Sequence, residues 1–173
     1  KKLAFQVNAD WPAQRITVYN PEPHRLIPAA RAELFVANSG TSMRLLSGIL
    51  AAQSFDTVMT GDASLNKRPM ERVAKPLRQM GAEILTTGEK GTPPVTIKGG
   101  KRLKGFHYDM PVASAQVKSG VLLAGLWADG ETVVTEPAPT RDHSERMLRG
   151  FGYDVKVEGA TASLNGGGKL VAT

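Results

Sequence analysis

The chain has 173 residues, 41% of them apolar and 22% charged, with a formal net charge of +6 and no cysteine. This balance belongs to one ordinary globular domain with enough apolar material for a core, and it excludes a disordered chain, a disulfide scaffold and thiolate chemistry. Three scattered histidines (His24, His107, His143) offer no metal-ligand spacing, and the longest charge-free stretch, 45–55, falls short of the roughly 20 residues that a membrane span needs. No basic, apolar signal segment opens the sequence, so a cytoplasmic location is expected. The basic balance favours an anionic partner. Lys and Arg are dispersed and no aromatic residues cluster with them, so small phosphorylated or carboxylated ligands fit better than nucleic acid. A basic solvated surface without a ligand is the plainer alternative.

In chain order, 15–19 alternates as a strand would, and Asn20-Pro21-Glu22-Pro23 breaks it into a loop. Leu34-Phe35-Val36 reads as a short buried strand. From Thr41 onward Met43, Leu46, Ile49 and Leu50 recur at helical spacing, which sets the polar segment Asn38-Ser39-Gly40-Thr41-Ser42 at a helix N-terminus. Thr57-Val58-Met59-Thr60 is the next strand. Arg68-Pro69 is expected to open a second helix, because proline suits the first helical turn. Val73, Leu77 and Met80 mark its buried face and Gly81 its end, with a strand and turn over Pro94 to Gly100.

The order then returns. Ser47-Gly48-Ile49-Leu50 is echoed by Ser119-Gly120-Val121-Leu122, Thr57-Val58-Met59-Thr60 by Thr132-Val133-Val134-Thr135, and Met80-Gly81 by Phe151-Gly152, at offsets of about 71 to 75 residues. The expected fold is therefore α/β, built from duplicated units of strand, helix, strand, helix and two strands around a shared core. Residues 1–30 read as the tail of one unit, 31–110 as a second, and 111–173 as a third, with its truncation left open. A start without Met inside a strand-like segment reads as a fragment.

A helix N-terminus presents unpaired amides and about half a positive charge, so 38–42 and 113–116 are natural anion sites. Gly40 would let a ligand approach those amides closely. The plain alternative is that Asn38, Ser39 and Thr41 only cap a helix. Arg68 stands beside a helix start, where its planar fork can grip a carboxylate or phosphate, or can simply be solvated. Arg141 repeats that arrangement ahead of the last helix, and Gln116 carries both donor and acceptor atoms. Asp142 is read as a helix-start charge and His143 as structural. No Ser/His/Asp order, Walker loop or dinucleotide fingerprint occurs; Gly166-Gly167-Gly168 lies in a late turn.

Asn38-Ser39-Gly40-Thr41-Ser42-Met43-Arg44, Gly61-Asp62 with Arg68-Pro69-Met70, and Pro111-Val112-Ala113-Ser114-Ala115-Gln116-Val117-Lys118-Ser119 follow one another along the chain. Glu136-Pro137 and Thr140-Arg141-Asp142-His143-Ser144-Glu145-Arg146 continue the series. In order and spacing this resembles the EPSP synthase (3-phosphoshikimate 1-carboxyvinyltransferase) family over 27–152. The resemblance implies one lobe of a two-lobed inside-out α/β barrel, each lobe holding three βαβαββ units with helix N-termini aimed at the cleft. It also implies transfer of an enolpyruvyl group from phosphoenolpyruvate to shikimate 3-phosphate, in aromatic amino-acid biosynthesis, without metal or organic cofactor.

By the same resemblance, phosphoenolpyruvate would meet Gly40, Arg68 and Gln116. Shikimate 3-phosphate would meet Ser114, Ala115, Gln116 and Arg141, while Arg44 would support the glycine loop. The family's glyphosate sensitivity is expected too, since Gly40 leaves the inhibitor's space open, although Leu45 stands where some members have proline. The family's amino-terminal Lys-Ser motif and second lobe have no counterpart, because Lys1-Lys2 is not that motif. No catalytic residue is therefore assigned, and the chain alone is expected to lack turnover without its missing lobe. The alternatives are a non-catalytic phosphometabolite-binding module and a UDP-N-acetylglucosamine enolpyruvyl transferase, a family that usually carries a reactive cysteine.

Overall fold

A computed structural model describes residues 6–19 and 31–171. The loop expected at 20–23 lies outside them. The first described strands, β1 (Gln6–Asp10) and β2 (Arg15–Tyr19), form an antiparallel hairpin with Val7 opposite Val18 and Ala9 opposite Ile16.

Two six-element units follow. The first runs β3 (Arg31–Phe35), α1 (Gly40–Ala51), β4 (Asp56–Thr60), α2 (Glu71–Gln79), β5 (Glu83–Thr87), β6 (Thr92–Lys98). The second runs β7 (His107–Asp109), α3 (Ala115–Gly125), β8 (Glu131–Thr135), α4 (His143–Gly150), β9 (Val155–Glu158), β10 (Thr161–Asn165). Their sheets share one topology, β3-β4-β6-β5 and β7-β8-β10-β9, in which the first pair is parallel and the others antiparallel. A parallel pair needs a long crossover, and α1 and α3 supply it. The second sheet takes its first strand from His107–Asp109, ahead of residue 111, because β7 pairs with β8 and not with the earlier sheet.

The helices are the shared core. α3 is buried along the whole of 117–125, a run that is apolar apart from Lys118 and Ser119. It crosses α1 at a glycine seam, where a Cβ on Gly48 would lie 2.0 Å from the carbonyl oxygen of Gly120. Val73, Leu77 and Met80 seal α2 against the same core, as their spacing predicts. Gly81 (φ +105°) and Gly152 (φ +72°) follow α2 and α4 in the left-handed conformation that ends a helix at little cost to glycine.

Three readings of the sequence are corrected. The helix after Arg68-Pro69 starts at Glu71, because a 3₁₀ turn over Leu65–Lys67 takes Arg68 as its extended C-cap and the Met70 amide donates to the Gly91 carbonyl. Phe35 is 65% exposed, since β3 is an edge strand and its outer face has no layer over it among the described residues. The Ser-Gly echo does not mark equivalent turns: α1 and α3 begin 75 residues apart, whereas Gly48 and Gly120 are 72 apart. The two glycines recur because they face each other.

Candidate functional site

Both unit-opening helices are capped by serine. Ser39 Oγ accepts from the Ser42 amide at 3.1 Å, and Ser114 Oγ accepts from the Val117 amide at 3.4 Å. Neither first turn carries an acidic residue, so the positive end of each helix dipole is left uncompensated. Gln116 ties the two ends together: its Oε1 accepts from Arg44 Nη1 at 2.8 Å and its Nε2 donates to Thr41 Oγ1 at 2.6 Å. Arg44 also donates to the Pro69 carbonyl at 3.3 Å.

Gly40 lies under this bridge. A Cβ there would come within 2.9 Å of Arg44 Nη1 and 3.6 Å of Arg68 Nη1, so two guanidinium groups and the helix start converge on one residue. Burial, followed by the charges of Arg68 and Arg72, holds Arg44 below the ordinary guanidinium pKa. The guanidinium stays charged at any working pH, so an anion bound here relieves repulsion between like charges.

Arg68 is exposed but oriented, because its Nη2 donates to Asn38 Oδ1 at 2.8 Å and Asn38 Nδ2 donates to Asp62 Oδ2 at 2.7 Å. Asp62 Oδ1 accepts from the Leu65 and Ser64 amides at 2.8 and 3.0 Å. The Leu65 amide first and Asn38 next keep the Asp62 carboxyl below the usual carboxylate range. The relay Asp62, Asn38, Arg68 thus fixes the direction of an exposed cation from the loop that follows β4.

On the other side of Gln116, Ser114, Ala115 and Arg141 join Thr140 in lining an open hollow ahead of α3. A smaller recess of about 130 Å³ beside it is lined by Thr41, Leu45, Gln116, Arg141, His143 and Ser144. The residues singled out in the sequence therefore fall into two groups, Gly40 with Arg68 and Ser114 with Ala115 and Arg141, and Gln116 belongs to both. His143 is the first residue of α4 and Asp142 its N-cap, with no side-chain capping bond.

Sequence reasoning gave no role to the charges buried behind the site. Lys118 Nζ lies 2.7 Å from Glu136 Oε2 and 2.7 Å from Glu145 Oε1, and all three side chains are at least nine-tenths buried. Glu136 Oε1 also accepts from the Thr140 hydroxyl, and Ser144 Oγ donates to Ser119 Oγ at 2.7 Å. Burial pulls the Lys118 pKa down, but the two carboxylates outweigh it and the net shift is upward. The available signal was one lysine inside the apolar run 117–126, where a charge must bring its own partners.

Two βαβαββ units that set uncompensated helix starts and arginines around one bridging amide form a lobe of the enolpyruvyl transferase type. The chain belongs to the EPSP synthase (3-phosphoshikimate 1-carboxyvinyltransferase) family, whose profile matches residues 5–173. It is 60% identical to the 3-phosphoshikimate 1-carboxyvinyltransferase of Methylococcus capsulatus over 171 residues, 98% of this chain and 39% of that protein. It is 58% identical to that of Alkalilimnicola ehrlichii over 168 residues, 96% of this chain and 37% of that one. A solved EPSP synthase from Acinetobacter baumannii superposes with a TM-score of 0.91 at 65% identity, covering 98% of this chain and 38% of that structure. The chain thus spans less than two-fifths of these relatives. Both curated relatives carry the one activity name, which gives the two alternative readings no support. Among the described residues no helix is long and apolar enough to cross a membrane.

Proposed function

We propose that this chain forms one wall of a cleft in which an enolpyruvyl group passes from phosphoenolpyruvate to the 5-hydroxyl of shikimate 3-phosphate, with loss of phosphate. The observation that carries the reading is the Gln116 bridge, which sets two cationic helix starts side by side with one amide common to both. On this reading Gly40 admits phosphoenolpyruvate against the α1 amides, Arg68 clamps its anionic groups, and Gln116 touches both substrates. Ser114, Ala115 and Arg141 hold shikimate 3-phosphate. Fixed donors and cations aimed at phosphate and carboxylate stabilise charge without reorganising, which is the largest contribution that such a wall can make.

The same reading divides the chain into the end of one unit over 1–30, a second unit, and a third whose sheet opens at β7. It also gives the protein a cytoplasmic setting. Proton transfer needs a group within hydrogen-bond reach of the reacting atom, and no residue of this lobe is assigned that task. The chain alone is therefore expected to show negligible turnover. The test is a chimaera in which the chain replaces the matching segment of the Methylococcus capsulatus relative. Release of phosphate from phosphoenolpyruvate that depends on shikimate 3-phosphate supports the reading. A folded chimaera that releases none overturns it.

A further inference from the structure

The buried ionic cluster behind the site connects the parts that the proposed function needs in register. Lys118 stands in the first turn of α3, and its amide donates to the carbonyl of Ser114 at 3.0 Å. Its Nζ reaches Glu136 just after β8 and Glu145 in the first turn of α4, each at 2.7 Å. Glu136 in turn holds the Thr140 hydroxyl, next to Arg141 in sequence. One ammonium group therefore joins the segment of Ser114, Ala115 and Gln116 to the loop of Thr140 and Arg141, through charges that never reach the surface.

An ion cluster of this kind does little for stability, because the cost of taking its charges out of water offsets most of their attraction. What it supplies is direction. An ammonium group with two carboxylates at fixed distances tolerates little displacement, whereas an apolar filling of equal volume would let the helix start and the loop slide. The cluster also adds one more negative charge than positive beneath a site for an anion, so its contribution cannot be attraction of the ligand.

Resting on the function proposed above, we infer that Lys118 and Glu136 are positioning residues for the sugar-phosphate half of the site. They fix the distance between the α3 start and Arg141 and touch neither substrate. Glu145 completes the cluster by anchoring α4 to the same ammonium group.

The test uses the chimaera described above with three substitutions, Lys118→Met, Glu136→Ala and Glu136→Gln, and reads KM for each substrate together with the thermal midpoint. Misplacing a binding group by about 1 Å can cost up to about 100-fold. Lys118→Met and Glu136→Ala are accordingly expected to raise KM for shikimate 3-phosphate at least about tenfold, with a smaller rise for phosphoenolpyruvate transmitted through Gln116. Glu136→Gln is expected to restore KM for the sugar phosphate, since its amide can accept from Lys118 and donate to the Thr140 hydroxyl. A lowered thermal midpoint with both KM values unchanged would make the cluster a stability element and overturn the inference, as would equal rises for both substrates. Should Lys118→Met fail to fold, the contrast between the two Glu136 variants decides. Absence of turnover in the unsubstituted chimaera instead rejects the proposed function, and this inference with it.

Discussion

A methyl group on residue 40 would sit 2.9 Å from Arg44 Nη1, shift the guanidinium that holds Gln116 and fill the space over the α1 start. Gly40→Ala is therefore expected to raise KM for phosphoenolpyruvate on the order of tenfold in the chimaera, with a smaller rise for shikimate 3-phosphate transmitted through Gln116. Steady-state kinetics with each substrate varied in turn would check both. At this scale the sequence was readable wherever a residue's role follows from its neighbours in the chain. Ser39 and Ser114 cap helices because polar residues there precede apolar periodicity. The roles of Asp62 and Lys118 were not readable, because their partners Asn38, Glu136 and Glu145 lie 24, 18 and 27 positions away and only the fold brings them together.

Among the elements, the crossing of α1 and α3 sets the tolerance of the core. A Cβ on Gly48 would meet backbone at 2.0 Å, whereas one on Gly120 would meet Val73 Cγ2 at 3.0 Å and the Arg44 carbonyl at 3.1 Å. Gly48→Ala must spread the helices and is expected to cost about 3 kcal/mol, against about 1 kcal/mol for Gly120→Ala, measurable by urea denaturation. The equivalent strands β4 and β8 each bury a hydroxyl, Thr57 and Thr132, that has no hydrogen-bond partner. Replacing either by valine removes an unsatisfied polar atom, so Thr57→Val and Thr132→Val are expected to stabilise the chain by up to about 1 kcal/mol, readable as a raised thermal midpoint. The existence and order of the elements were legible in the sequence because periodicity and turn residues are local. The start of α2 was not, since the 3₁₀ turn that delays it depends on Asp62 accepting the Ser64 and Leu65 amides. The outward face of Phe35 was equally hidden, because edge or centre is a property of the sheet and not of the strand.

For the whole molecule, the duplication is what the sequence disclosed best, and it fixed two sheets of one topology. The packing of one unit on the other was beyond its reach, since the echo at Gly48 and Gly120 reports a contact and not an equivalence. Acid should loosen the first unit in a defined sense. Glu71 is held below the usual carboxylate range, first by Arg78, whose Nη1 lies 2.7 Å from Glu71 Oε2, and further by the Thr86 hydroxyl. A carboxylate whose folded pKa is depressed contributes stability that is complete above its unfolded value and is lost as the pH falls through the folded one. Urea denaturation across a pH series should thus be flat above a free glutamate's pKa and decline below it. In Glu71→Gln the plateau should be lower and the decline shallower.

The glycine seam also bears on descent. A crossover within 99–106 between two diverged genes would interrupt no strand of either four-stranded sheet, and each sheet would be inherited with its own helices. Yet it would take α1 from one parent and α3 from the other. Offspring keep the close crossing where the parent that supplies α1 has left residue 48 bare, whereas a methyl group at residue 120 from the other parent would be borne at a smaller cost.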